Sequence, residues 1–221
     1  MKRLLFLLLG LALTTLAPAA PPPQPSTDWS GAMAEFAAQD AAAPSPENCV
    51  LFVGSSSIRL WTTLAADFPG VPVVNRGFGG SHIADSLVHF DRVVAPHRPR
   101  LIVFYAGTND LAAGKAPADV VSDFETFCAR VFALWPAVRI AFLSVQTAPA
   151  RWELRDRMAE VNAAVQRLAA ADPRLEFIDT NPAMLGADGQ PRLEFYSADR
   201  LHMSPAGYAV WAKLVAPVVN R

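Results

Sequence analysis

The sequence predicts an α/β fold, a parallel five-stranded sheet with helices on both faces. Three observations carry this expectation. Short apolar runs recur at residues 50–53, 71–74, 101–105, 140–145 and 175–178. None of them alternates polar with apolar residues, so each reads as a strand buried on both faces, the habit of parallel strands. Helical patterns stand between them, and that alternation implies right-handed crossovers.

The elements follow in order. Residues 28–41 read as a lead-in helix ahead of the first strand. A later helix carries the stripe Val121, Phe124, Cys128, Val131, Trp135, and the next carries Leu154, Met158, Val161, Val165, Leu168, both at helical spacing. Ser204 followed by Pro205 gives the last helix an N-cap and a proline at its first position, and Tyr208, Trp211 and Val215 form its buried face. There is no internal repeat. A sheet of this kind places its chemistry at the carboxyl ends of its strands.

Ahead of that domain, residues 1–19 have the form of a secretory signal peptide. Lys2 and Arg3 are followed by an apolar stretch over 4–16, and Ala17-Pro18-Ala19 supplies the small-x-small cleavage pattern. The apolar stretch is shorter than the roughly 20 residues that span a bilayer. Residues 20–27 read as a proline-rich linker, with four of the five prolines of 18–25. The expected organisation is therefore signal peptide 1–19, linker 20–27 and one domain over 28–221. The mature protein is expected in the periplasm or secreted, without a membrane anchor.

Composition excludes several classes of function. Lys+Arg number 19 against 20 Asp+Glu, with no basic block, so the footprint of a nucleic-acid partner is missing. Two cysteines cannot form a disulfide-rich scaffold. Export would permit a Cys49–Cys128 bridge, although a cysteine on an apolar stripe reads as a small buried hydrophobe. His82, His89 and His97, at spacings of seven and eight, match no metal-binding pair, and no metal or cofactor is expected.

Small polar residues and glycines gather where the sheet would present them. Gly54-Ser55-Ser56-Ser57 follows the first strand and Asn75-Arg76-Gly77-Phe78-Gly79-Gly80-Ser81 the second. Gly107-Thr108-Asn109-Asp110 follows the third, and Asp199-Arg200-Leu201-His202 precedes the final helix. These are the parts of acyl transfer. A serine hydroxyl needs a base to take its proton, and His202 is the candidate. Asp199 can accept the other ring N–H and fix the tautomer. Backbone N–H groups of the serine turn and the glycine loop, with an asparagine amide, can bind an oxyanion. Residues alone leave Ser55, Ser56 and Ser57 open as the nucleophile, and Gly77, Gly79 and Gly80 as the oxyanion glycine. Asn109-Asp110 could also simply cap a helix.

This order and these motifs resemble the SGNH-hydrolase superfamily, the GDSL-like lipases and acylhydrolases, over about residues 50–219. The segment 50–61 is similar to the first block of platelet-activating-factor acetylhydrolase-like bacterial esterases, although Ser55 stands where the family usually has Asp. The resemblance implies a flavodoxin-like three-layer α/β/α sandwich with strand order 2-1-3-4-5. It implies Ser56 as nucleophile, Asp199 and His202 as acid and base, and an oxyanion hole of Ser56, Gly80 and Asn109. His82, Arg151 and Trp61 are further candidates for the pocket wall, with core packing the stronger reading of Trp61. The expected activity is hydrolysis of small carboxylic esters, with short acyl or acetyl groups, through an acyl-enzyme intermediate. A nucleotide-binding reading of Gly77-x-Gly79-Gly80 lacks the third glycine and leaves Asp199 and His202 without a task. A non-catalytic exported protein binding small molecules or carbohydrate on the same fold is the other alternative.

Overall fold

A computed structural model describes residues 28–221; the expected signal peptide and the whole of the expected linker lie outside the described residues. Five strands, β1 (Cys49–Gly54), β2 (Val73–Gly77), β3 (Pro99–Tyr105), β4 (Arg139–Leu143) and β5 (Leu175–Ile178), pair in parallel in the order β2-β1-β3-β4-β5. Helices α1 (Ser30–Ala42), α2 (Ser56–Arg59), α3 (Leu64–Asp67), α4 (Ile83–Val88) and α5 (Phe90–Val93) precede β3. After it come α6 (Thr108–Ala112), α7 (Pro117–Leu134), α8 (Arg155–Ala171), α9 (Asn181–Met184) and α10 (Pro205–Val219).

Alternate side chains of the sheet build two cores. Leu51, Val53, Ile102, Phe104, Ile140 and Phe142 face α1, α4, α5, α7 and α8. Val50, Phe52, Leu101, Val103, Ala141 and Leu143 face α2, α3, α9 and α10. A strand buried on both faces cannot alternate with polar residues, which is why the runs read as continuous. The result is the three-layer α/β/α sandwich with a five-stranded parallel sheet that the sequence and the family resemblance together predict. In α8, Met158, Val161 and Val165 are buried and Leu154 and Leu168 pack at the margin. In α7, Val120 and Phe127 widen the stripe, while Val121 and Trp135 lie at its rim. Ser204 caps α10 by accepting from the Gly207 N–H, and Tyr208, Trp211 and Val215 are buried.

Two strand expectations are corrected. β5 is half-exposed along its length because it is an edge strand, and its Glu176 faces Arg139 and Arg221. β2 begins two residues later than the apolar run and continues through Asn75 and Arg76 to Gly77. Arg76 can be buried there because Asp40 and Gln39 take its guanidinium and the Phe36 ring lies beneath it. Cys49 and Cys128 are both free thiols buried in one core, so the bridge that export would permit is not formed. No helix among the described residues is long and apolar enough to cross a membrane.

Candidate active site

The end of β1 is built to expose one serine. Gly54 has φ +144°, and a Cβ there would be driven into the Tyr105 carbonyl of the neighbouring strand, so only glycine allows this approach. The Ser55 N–H then donates to that carbonyl over 3.0 Å, and α2 starts at Ser56. Ser55 and Ser57 are buried, while Ser56 is half-exposed. The Ser56 Oγ lies 2.8 Å from His202 Nε2, and no such contact exists for the other two serines. The turn is pinned from two sides. The Tyr208 hydroxyl of α10 donates to the Ser57 carbonyl over 2.9 Å, and the Asn75 amide donates to the Ile58 carbonyl over 2.7 Å.

Asp199 and His202 share one tight loop ahead of α10. The Ser197 N–H donates to the His202 carbonyl over 2.8 Å, and Tyr196 bridges Met203, which closes the loop on itself. Asp199 Oδ1 accepts from the Leu201 N–H at 2.9 Å, the His202 N–H at 3.0 Å and the Ser197 hydroxyl at 2.8 Å. Its other oxygen, Oδ2, lies 2.5 Å from His202 Nδ1. Partial removal from water pushes the Asp199 carboxyl up. The hydrogen bonds from the His202 ring, from the His202 and Leu201 backbone and from Ser197 outweigh that and hold it well below the usual carboxylate range. An ionised carboxylate only accepts, so the neutral ring must carry its hydrogen on Nδ1 and turn the Nε2 lone pair to Ser56. The Asp199 side chain is 50% exposed and that of His202 24%, so the site opens directly at the surface.

The glycine loop and Asn109 complete the site. Gly77 is buried at the end of β2, and its N–H is taken by Asn75 Oδ1 at 2.9 Å. Gly79 gives its carbonyl to the Trp29 indole N–H at 2.8 Å. Gly80 is exposed in the left-handed region at φ +77°. Among the described residues no acceptor takes the N–H of Gly80 or of Ser56. Asn109 lies within α6 rather than capping it, as Gly107 holds the cap position. Its Nδ2 donates to the Ser81 carbonyl at 3.0 Å, and its Oδ1 accepts from Arg151 Nη1 at 2.9 Å.

The remaining pocket candidates divide. Arg151 stands at the site through that contact with Asn109. His82 is the N-cap of α4 in a reciprocal capping box with Asp85, whose carboxylate accepts the His82 N–H at 2.7 Å. Trp61 is a core residue, the stronger of its two readings: it is 1% exposed, stacks on Tyr208 and donates to Asp67. Sequence reasoning gave no role at the site to Trp29, Asn75, Ser197 or Tyr208, which hold the site's backbone. It placed Asn75 in the glycine motif and Tyr208 on the buried face of the last helix, but neither position showed what the side chain would brace. Among the described residues no group of three His, Cys, Asp or Glu side chains is placed to hold a metal ion.

Comparison with known proteins places this geometry. The human platelet-activating factor acetylhydrolase IB subunit alpha1 is 28% identical over 168 residues, covering 72% of this chain and 70% of that one. A GDSL-like lipase from Bacteroides thetaiotaomicron superposes with a TM-score of 0.73 at 22% identity, covering 85% of this chain and 97% of the other. A family 3 carbohydrate esterase from Clostridium thermocellum superposes at 0.63 with 15% identity, over 79% and 98%. The profile of the GDSL-like lipase/acylhydrolase family matches residues 52–210, and with that span covered the chain belongs to this family of hydrolases.

Proposed function

We propose that the protein is an exported serine esterase that hydrolyses small carboxylic esters, with short acyl or acetyl groups, through an acyl-enzyme. The observation that carries the reading is the chain of contacts from Ser56 Oγ to His202 Nε2 at 2.8 Å and from His202 Nδ1 to Asp199 at 2.5 Å. Ser56 Oγ attacks the ester carbonyl while His202 Nε2 takes its proton. The carbonyl oxygen becomes an oxyanion that accepts from the N–H groups of Ser56 and Gly80 and from the Asn109 amide. The tetrahedral species collapses, the alcohol leaves with the proton from His202, and Ser56 is left acylated. Water then attacks the acyl group with His202 as base, and the acid and free Ser56 are regenerated. Asp199 keeps its charge throughout and steadies the imidazolium.

The substrate class follows from the open mouth of the site, where Asp199 and His202 both reach solvent, which suits a small soluble ester. The family 3 carbohydrate esterase among the similar structures and the acetylhydrolase among the relatives are consistent with short acyl groups. Export rests on the form of residues 1–19 alone.

The test is hydrolysis of p-nitrophenyl acetate, butyrate and octanoate by the purified protein beside Ser56→Ala. Acetate is expected to be turned over fastest, and Ser56→Ala is expected to lower kcat by at least about 10³-fold. Turnover untouched by Ser56→Ala would refute the mechanism.

A further inference from the structure

We propose that Arg151 is a positioning residue for the oxyanion site: its guanidinium fixes which end of the Asn109 amide faces the reacting carbonyl. The inference rests on the esterase reading above. A primary amide has two ends of nearly the same shape, one that accepts and one that donates. Turned the wrong way, Asn109 would aim its carbonyl oxygen at the developing negative charge and oppose the reaction. The Ser81 carbonyl can only accept, and it takes one Nδ2 hydrogen at 3.0 Å. A guanidinium can only donate, so the amide atom that meets Arg151 Nη1 at 2.9 Å must be Oδ1. Both neighbours demand the same orientation, and the second Nδ2 hydrogen remains for the substrate.

Arg151 supplies the stronger of the two restraints. Its hydrogen bond is charge-assisted, roughly twice as strong as the neutral one to Ser81. Positive charge at Oδ1 also polarises the amide and makes the remaining N–H a better donor. The side chain is free for this task. Arg130 and Arg174, for comparison, are committed to the carboxylates of Asp91 and Asp172, whereas the hydrogen-bond partner of the Arg151 side chain among the described residues is Asn109. The backbone places it deliberately as well. Arg151 sits in a 3₁₀ turn, Pro149–Leu154, with non-helical φ −136° and ψ 27°. One residue earlier, the Ala150 N–H donates at 3.0 Å to the carbonyl of Arg200, which stands between Asp199 and His202. One short turn thus touches both the oxyanion asparagine and the acid–base loop.

A double-mutant cycle on p-nitrophenyl acetate tests this. Arg151→Met is expected to lower kcat about 10- to 50-fold while KM changes less than about threefold, the split of a group that matters in the transition state. Arg151→Lys, which still donates to Oδ1, is expected to return kcat to within about fivefold of the wild type. In an Asn109→Ala background, Arg151→Met is expected to lower kcat by less than about twofold more, since its target is gone. Arg151→Glu, an acceptor, would draw Nδ2 toward itself and should be at least as damaging as Asn109→Ala. Equal losses from Arg151→Met in both backgrounds, a loss confined to KM, Lys no better than Met, or Arg151→Glu keeping more than about a tenth of wild-type kcat would each overturn the role. If the wild type hydrolyses no ester and Ser56 takes no phosphonate label, the esterase reading itself fails and this role falls with it. Labelled, active wild type with additive losses removes only the role of Arg151.

Discussion

Replacing Asp199 with Asn separates a tautomer-fixing acid from one that merely braces its loop. Asp199 Oδ1 accepts three hydrogen bonds, from Ser197, Leu201 and His202, and Oδ2 meets His202 Nδ1. In the amide, only the oxygen can face those three donors, so the NH2 group is forced against the ring. An imidazole facing a donor at Nδ1 must carry its own hydrogen on Nε2, and Nε2 then donates to Ser56 Oγ instead of accepting from it. The base has been turned round with its position unchanged. In Ser-His-Asp sites of this kind the inverted tautomer lowers kcat by about 10⁴-fold, which is about 5.4 kcal/mol of barrier at 1.36 kcal/mol per decade. Three of the four hydrogen bonds survive, so stability should change by only about 1 kcal/mol. Steady-state kinetics on p-nitrophenyl acetate, paired with urea unfolding of both proteins, measure the two quantities separately. Retention of more than about a tenth of wild-type kcat in a normally folded Asp199→Asn protein would show that Asp199 does not set the tautomer.

Two further outcomes follow from the packing. Gly54→Ala should cost about 3–5 kcal/mol: the positive φ is strained, and parting the strands weakens the bonds from Ser55 to Tyr105 and from Phe78 to the Gly54 carbonyl. A urea midpoint lowered by less than the equivalent of about 1 kcal/mol would contradict this. His97 is 1% exposed, its Nδ1 meets Ser45 at 2.7 Å, and its Nε2 has no partner among the described residues. Burial, with a smaller push from Arg76, moves its pKa from 6.5 down to about 4. The unfolded chain therefore takes up this proton first as pH falls. Stability on the order of 3 kcal/mol is present above about pH 6.5 and is lost progressively toward pH 4, below which the contribution is flat. The difference in unfolding free energy between wild type and His97→Gln, measured at about pH 7.5 and 4.5, should narrow by that amount on acidification; a difference independent of pH would place His97 in contact with water.

The sheet and the segments that meet at its carboxyl end were legible because each rests on a local signal. Continuous apolar runs announced buried strands, and serine, glycine and asparagine clustered at their ends. The errors lie where tertiary partners override local pattern. Arg76 lies beyond the apolar run 71–74, yet it is buried in β2 because Asp40, Gln39 and Phe36 arrive from α1. Trp61 could be read as core or as pocket wall, and the packing of Tyr208, Phe52 and Phe68 around it makes it core. The three consecutive serines could not be separated by residue type at all. Exposure separates them, and exposure depends on the strained turn at Gly54. The braces Trp29 and Tyr208 act across 50 and 151 residues of sequence, a distance over which no spacing rule operates.

Strand order explains why four distant segments meet. β1 lies between β2 and β3, so the turns after these three strands emerge side by side at one end of the sheet. Gly54 binds two of them together: its carbonyl accepts the Phe78 N–H from the glycine loop at 3.0 Å and the Ser81 hydroxyl at 3.3 Å. The next residue, Ser55, donates to Tyr105 on the third strand. Ser81 carries the connection onward, since its carbonyl receives the Asn109 amide. The Ser56 turn, the glycine loop and Asn109 are thus joined by hydrogen bonds to backbone carbonyls before any substrate arrives. Such preorganisation is what lets dipoles stabilise an oxyanion without paying for their own reorientation. The acid–base loop comes from the opposite end of the sequence and is tied in separately, through Tyr208 to the nucleophile turn and through Ala150 to Arg200. Loosening one tie of the sheet-end network should therefore degrade oxyanion binding and leave the Ser56–His202 contact in place, whereas loosening Tyr208 should do the reverse.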